Sequence, residues 1–409
     1  MKYLKTHSLG ASVLLKLFIV CALIFPVYFS SAGSPYYPEI IVSNILFILS
    51  CILIFFTLDK AKENRIFILL SFCFLVLYNV FFIYYVTLKG QWAYDNLNVT
   101  LAMVSFFLLL ACSTDHFFEK HHVIQFLMAV ILITTLIGIL VFHLGYTSVS
   151  FLNGQITFTP HDPNYYETRY SWFYFHKSQY CFMLLLFIAL FVTYRKLLPN
   201  RITYYLSLAV LLYAIYISHT WTALFASLLI FAGCIMDYIR PRLSRIKKRY
   251  FLLLIPPVLI AVYFVYRMSR ERNIWNLGGR LNIWKESINQ ILEFNEGVGD
   301  LFGGISFEVP GLSFEVYNCH NFFLNIMYRF SLPAGICFAV IFLLIIIFSL
   351  KKRFCFLTAG IWASLLISLG MDYALLTTDL PITMFMLYCL FFHPEKAVQH
   401  KAIPQGSHQ

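Results

Sequence analysis

The feature that most constrains this chain is a recurring apolar run long enough to cross a hydrocarbon layer. A helix needs about 20 predominantly apolar residues for that crossing. Such runs recur at Ser12–Phe29, Ile40–Leu58, Ile66–Val86, Val123–Phe142, Tyr180–Tyr194, Ile202–Ile217, Trp221–Met236, Phe251–Tyr266, Leu332–Leu350 and Phe354–Leu369. A shorter run, Val99–Cys112, and a last one, Ile382–Phe392 or a longer stretch from Leu375 that includes Asp379, bring the expected total to about twelve. The fold class expected is all-α: a polytopic membrane helix bundle forming a single integral membrane domain over 1–409. One large outer loop, 267–330, is expected to carry an amphipathic helix. Composition agrees, being 60% hydrophobic and only 12% charged. Soluble domains are about 45–50% apolar and about 25% charged. An ordinary soluble globule is thereby excluded, and so is a disordered chain, which needs low hydrophobicity. Pro256 and Pro257 are expected to kink the ninth span.

The formal net charge is +11. On a soluble protein that would suggest a nucleic acid partner. With the N-terminus inside, the charges sort by side instead. Of the Lys and Arg residues, 20 fall on inner segments and 9 on outer ones, while 6 acids are inside and 13 outside. The inner rim is then +14 and the outer face −4, with Lys16 inside the first span and expected to snorkel inward. This is the positive-inside pattern. It predicts cytoplasmic N- and C-termini and no nucleic acid partner. The inner run Arg240–Arg249 reads as a topology determinant, with anionic headgroup binding as the other reading.

Lys2 and Lys5 precede the first span and small residues follow it at Ser30–Gly33, as in a signal peptide. An uncleaved first helix is the expectation, because it keeps the span count even. Most of the ten cysteines lie in spans, where a thiol is a small apolar side chain. Cys319 lies in the outer loop, and there is no CxxC pair. Neither a disulfide framework nor a zinc site is expected.

Three outer features stand apart from packing. In the long loop, Gly278-Gly279-Arg280-Leu281-Asn282-Ile283-Trp284-Lys285 opens an amphipathic helix. Leu281, Trp284, Ile288, Ile291 and Leu292 fall on one face, expected to lie at the membrane interface. A lid or strut with Arg280 solvated is the plainer reading. Gly297-Val298-Gly299 then forms a turn, and Asn318-Cys319-His320-Asn321 precedes the next span. The second feature is the loop His143–Gln179, where Arg169 precedes Tyr170, Trp172, Phe173, Tyr174, Phe175, His176 and Lys177. Its rings are expected to form an interface belt, and they also suit stacking on sugar faces. The third is the hairpin turn Ser218-His219-Thr220, leading into Trp221-Thr222-Ala223-Leu224.

Together these residues resemble the O-antigen ligase and polysaccharide polymerase superfamily. The resemblance rests on the Gly-Arg-Leu-x-Ile-Trp string, the following Gly-x-Gly, and His320-Asn321 at the head of the next span. The stretch from Arg169 to His176 is similar to the family's arginine followed by Gly-Phe-x-His-Pro-Asn, here Phe173-Tyr174-Phe175-His176-Lys177-Ser178. The turn at Ser218 is similar to Ser-x-Ser-Arg-Gly-Ala-Leu, but Trp221 occupies the arginine position and Thr222 the glycine. Ser331 likewise stands where a glycine is usual. The match covers the later two thirds of the chain.

The resemblance implies a bacterial cell (inner) membrane enzyme with an extracytoplasmic active site. Its reaction would be polymerisation of undecaprenyl-diphosphate-linked oligosaccharide repeats into capsule, O-antigen or exopolysaccharide. The implied partners are the lipid-linked donor and acceptor, membrane lipids, a chain-length regulator and a flippase. No cofactor and no metal are implied. The chemistry then asks for fixed positive charge where the diphosphate leaves, and an arginine fork supplies it. Arg280 and Arg169 are the residues expected there. A proton must leave the acceptor hydroxyl, and a histidine titrates in the right range. His320 is expected to be that base; a histidine beside a capping Asn321 at a helix start is the plainer alternative. His176, Lys177, His219, Asn321 and Arg329 are accessory candidates. Glu271, Glu286 and Glu315 show no catalytic-pair spacing.

Three other functions compete. A ligase would move the finished glycan to a lipid or protein acceptor. A flippase or transporter expects ionisable residues within spans and structural repeats, and by sequence only Lys16 sits clearly within a span. A metal-dependent lipid-sugar transferase expects paired acids, whereas the first outer loop holds only Glu39.

Overall fold

A computed structural model describes residues 2–24, 38–89, 94–114, 117–118, 122–146, 148–151, 154–157, 170–172, 174, 176–240, 279–294, 308–309, 318–352, 354–371, 375 and 379–392. The described chain is almost entirely helical. In order come α1 (Lys2–Ile24), α2 (Pro38–Thr57), α3 (Arg65–Lys89), α4 (Tyr94–Leu110) and α5 (Val123–His143). A two-stranded antiparallel hairpin follows, β1 (Ser148–Phe151) and β2 (Gly154–Thr157). Then come α6 (Lys177–Thr193), α7 (Arg201–Ile217), α8 (Trp221–Ile239), α9 (Arg280–Phe294), α10 (Phe322–Phe330), α11 (Leu332–Lys352), α12 (Phe356–Met371) and α13 (Leu380–Leu387). A π-helical turn, Tyr388–Phe392, extends α13. The hairpin departs from the all-α expectation, and it sits in the loop between α5 and α6.

Among the described residues, four helices are long and apolar enough to cross a membrane: 65–88, 123–143, 221–239 and 332–352. The shorter apolar helices are 9–24, 42–57, 96–110, 177–193, 201–217, 356–371 and 380–392. Each coincides with an apolar run read from the sequence. The ninth expected span, with Pro256 and Pro257, lies outside the described residues, as does the Gly297-Val298-Gly299 turn.

Two helices form the centre. Every residue of α6 from Ser178 to Val192 is buried, and so is every residue from Leu380 to Phe392. A helix apolar on all sides belongs inside a bundle. The two run parallel: Gln179 meets Asp379 at one end, and the Tyr194 hydroxyl donates to the Cys389 carbonyl at the other. Around them, α1 packs on α2 and α5, and α3 packs on α11. Phe330 at the end of α10 meets Tyr78 and Phe82 of α3 edge to face. Lys16 lies over the ring of Phe126 in the first turn of α5, the end expected inside.

α8 and α12 cross in backbone contact. A Cβ on Gly233 would overlap the Phe356 carbonyl oxygen, and one on Gly360 would overlap that of Leu229. Small residues at a crossing let two backbones approach closely. The two contacts set an antiparallel register, Leu229 beside Gly360 and Gly233 beside Phe356. Asp237, in the last turn of α8, accepts from the main-chain N–H of both Phe356 and Leu357 at 2.9 Å. It thereby satisfies two donors that the start of α12 leaves open.

Candidate functional site

The turn before α10 is built by two asparagines. Asn318 Oδ1 accepts from the His320 N–H at 2.9 Å. Asn321 is the N-cap of α10, its Oδ1 accepting from the Leu324 N–H at 3.1 Å. Between them His320 is held at φ 46, in the left-handed region. His219 has φ 50 and stands in the same place, one residue before the N-cap of α8. A non-glycine residue there costs roughly 1–2 kcal/mol, and such strain clusters at functional sites. Both histidines thus occupy turns that glycine would form more easily.

Three contacts bring the predicted turns to one end of the bundle. Asn321 Nδ2 donates to the Gly370 carbonyl at 3.2 Å, joining the start of α10 to the end of α12. The antiparallel register of α8 and α12 carries Trp221, and so the Ser218-His219-Thr220 turn, to that same end of α12. Trp362 of α12 stacks on Phe391 with centroids 4.6 Å apart, and the short connection from Met371 to Leu380 then requires α12 and α13 to run antiparallel. Asp379 at the start of α13 is therefore at the Gly370 end, and Gln179 of α6 meets it there. His176, Lys177, His219, His320 and Asn321 accordingly share one end.

The start of α6 brings further polar groups to that end. His176 is its N-cap, with Nδ1 accepting from the Ser178 N–H at 3.2 Å. That bond leaves Nε2 as the proton-carrying nitrogen of the neutral ring. Lys177 opens the helix, where the macrodipole is already positive. An arrangement of this kind favours an anion. The carboxylate of Asp379 accepts from Gln179 Nε2 and makes no cap bond to its own helix. It is an ionisable group buried at the start of an apolar helix, 3% exposed. The signal for it is a lone acid in the apolar run from Leu375.

The ring-rich stretch before α6 is not an interface belt where it is described. Tyr170, Trp172 and Tyr174 are buried. The Tyr170 hydroxyl and the Trp172 ring fill a notch left by Gly138 on α5, where a Cβ would overlap them. Burial pushes the Tyr170 and Tyr174 hydroxyls well above their ordinary pKa, with neighbouring Tyr180 adding to the first and Asp379 to the second. Phe173 and Phe175 lie outside the described residues. So does Arg169, one of the two arginines expected at a diphosphate.

Arg280 is the first residue of α9. Of the face expected at a membrane interface, Leu281, Ile288 and Leu292 are exposed and Trp284 is half-buried. Ile291 of that face is buried, together with Ile283 and Ser287, in a cluster with Cys319 and Tyr328. Two apolar stripes therefore run along one helix, and only one packs on α10. Arg280 falls on the Ile283–Ser287 face by helical spacing. The Cys319 thiol hydrogen-bonds Ser287, and the Tyr328 hydroxyl donates to Gln290 at 3.0 Å. Passing from Gln290 to Ser287 moves the contact from Tyr328 to Cys319. Arg280, about 10 Å further along, lies on the His320 side of that contact. Arg329 lies in the last turn of α10, with its guanidinium 5.9 Å from the Phe330 ring centroid. Burial raises the Cys319 thiol to about 12, against the Ser287 hydrogen bond that lowers it. Cys319 is a free thiol.

Among the described residues no group of three or more His, Cys, Asp and Glu side chains could hold a metal. No protein-family model matches the chain, and no curated protein does.

Proposed function

We propose that this protein is a glycosyltransferase of the bacterial inner membrane that polymerises undecaprenyl-diphosphate-linked oligosaccharide repeats on the outer face. One observation carries the reading. The turns holding His320–Asn321 and His219, and the helix start at His176–Lys177, share one end of the bundle. They are distant in sequence and similar to three motifs of one superfamily. In the proposed topology the chain makes about twelve spans, with both termini cytoplasmic and 267–330 outside.

In the reaction, the acceptor hydroxyl attacks the anomeric carbon of the donor. The bond from that carbon to the diphosphate oxygen breaks, and the hydroxyl proton passes to His320. Arg280 and Arg169 meet the leaving diphosphate with fixed positive charge. His176, Lys177, His219, Asn321 and Arg329 orient the two substrates. The donor and acceptor glycans and membrane lipids are the direct partners; a flippase and a chain-length regulator act before and after.

A deletion strain complemented with His320→Ala or Arg280→Ala tests this. The expected glycan is a single capped repeat, with the variant protein still in the membrane. Normal chain lengths in either variant would sink the assignment. Full-length chains stranded on undecaprenyl diphosphate identify a ligase, and unchanged glycan with altered uptake identifies a transporter.

A further inference from the structure

The proposed reaction uses turns at one end of the bundle, yet a second polar feature leads up to them along the outside. The His143 ring lies 5.8 Å from that of Tyr213, with planes 19° apart. The Tyr213 hydroxyl and His143 Nε2 are hydrogen-bonded at 2.8 Å, which fixes both rings. Tyr213 is 6.4 Å from Tyr216 at 27°, and Tyr216 is 6.5 Å from His219 at 28°. The four rings form a ladder from the end of α5, along α7, to the turn before α8. All four are exposed, Tyr216 by 59% and Tyr213 by 40%.

Near-parallel rings at these separations are offset sideways. They lie like overlapping tiles, so each covers only part of its neighbour's face. The exposed ring surfaces are apolar, and the edges carry hydroxyl and imidazole groups. The ladder contains no Asp, Glu, Lys or Arg. That chemistry matches an uncharged ring with an apolar face and a hydroxylated rim, not an anionic headgroup. We infer that the His143–Tyr213–Tyr216–His219 ladder binds neutral sugar units, holding a glycan chain beside the His320 end of the bundle. A plain interface belt would need only amphipathic bulk; it has no need for two imidazoles or for a hydrogen bond that fixes ring planes.

The biological ligand rests on the glycosyltransferase reading, but the binding test does not. The full-length protein in phosphatidylcholine nanodiscs is titrated with maltoheptaose and with chitohexaose, and ligand-observed NMR reads the binding. At least one neutral glycan is expected to bind in the millimolar range. Tyr213→Leu/Tyr216→Leu keeps an apolar surface towards lipid and should weaken binding about tenfold, while Tyr216→Phe should leave it unchanged. Binding of neither glycan, or undiminished binding by the leucine variant, overturns the inference. So does loss of glycan binding on moving to phosphatidylglycerol nanodiscs, which would make the ladder a lipid headgroup site. Glycan analysis of His320→Ala is separate: lost polymer with undiminished sugar binding by the leucine variant removes the ladder and leaves the enzyme.

Discussion

The side chain of Asn321 faces two ways: its oxygen caps α10 at Leu324, and its amide reaches Gly370 at the end of α12. Asn321→Ala removes both bonds and is expected to cost about 2 kcal/mol; Asn321→Asp keeps the cap and should cost about 1 kcal/mol. Thermal unfolding in detergent separates them. Equal losses would mean that the cap contributes nothing, and a neutral aspartate that the Gly370 bond contributes nothing.

Ser331 links α10 to α11 at φ 83 and ψ 152, a conformation suited to glycine. Such a residue carries about 1–3 kcal/mol of strain. Its hydroxyl accepts from the Ala334 N–H at a long 3.4 Å. Ser331→Gly should therefore stabilise the protein by about 1 kcal/mol, since glycine gives up only a few tenths at a cap. Ser331→Ala loses the bond and keeps the strain, so it should destabilise. The opposite signs can be read from unfolding midpoints.

His320 offers a separation of fold from function. At φ 46, His320→Gly removes backbone strain and should raise or preserve stability, while the proposed base is lost. A variant that is at least as stable as the parent and makes no long-chain glycan is expected. Loss of stability would show that the imidazole holds the turn together.

Gly233 and Gly360 let α8 and α12 touch through their backbones. Gly233→Ala and Gly360→Ala must force the helices apart, an overpacking expected to cost about 1–3 kcal/mol. Gly10, in α1, has nothing within 4 Å of its Cβ position. Gly10→Ala should stabilise by about 0.5–1 kcal/mol. Folded yield after detergent extraction would rank the three.

Alkaline stability should depend on Cys319. Its thiol is raised from 9.0 to about 12 by burial. Unfolding releases a group that ionises more readily, so the unfolded state binds fewer protons above pH 9. The contribution is complete below pH 9 and is lost as pH rises to about 12. Cys319→Ser should flatten that decline in a pH series of unfolding midpoints. In the folded protein the thiol should also resist alkylation at neutral pH, since the thiolate is the nucleophile.

Apolar runs made the helices legible, because lipid and a buried core both demand them. Direction was harder. α9 has apolar residues on two sides, and spacing alone grouped Ile291 with the exposed Leu281, Ile288 and Leu292 and left out the Ile283 that is buried beside it. Tyr170 and Tyr174 read as a belt because tyrosine suits both interface and core, and the notch at Gly138 that admits the first is tertiary. The shared end of His176, His219 and His320 was foreshadowed by alternating sidedness. The left-handed backbone at two of them was not, since nothing in a histidine announces positive φ. Asp379 stood out as a lone acid, but its tie to Gln179 needed the parallel pairing of α6 and α13.

That pairing bears on how the protein is made. One of its two enclosed helices, α13, leaves the ribosome after every other described element. Until it arrives, α6 has a flank meant for protein, including the Gln179 amide, with only lipid or water to face. The bundle can assemble around that gap but cannot close it during translation. A stop codon before Leu380 would therefore do more than trim an end. It would leave the middle of the molecule unfilled, and membrane quality control should recognise the shortened chain even with every earlier helix in place.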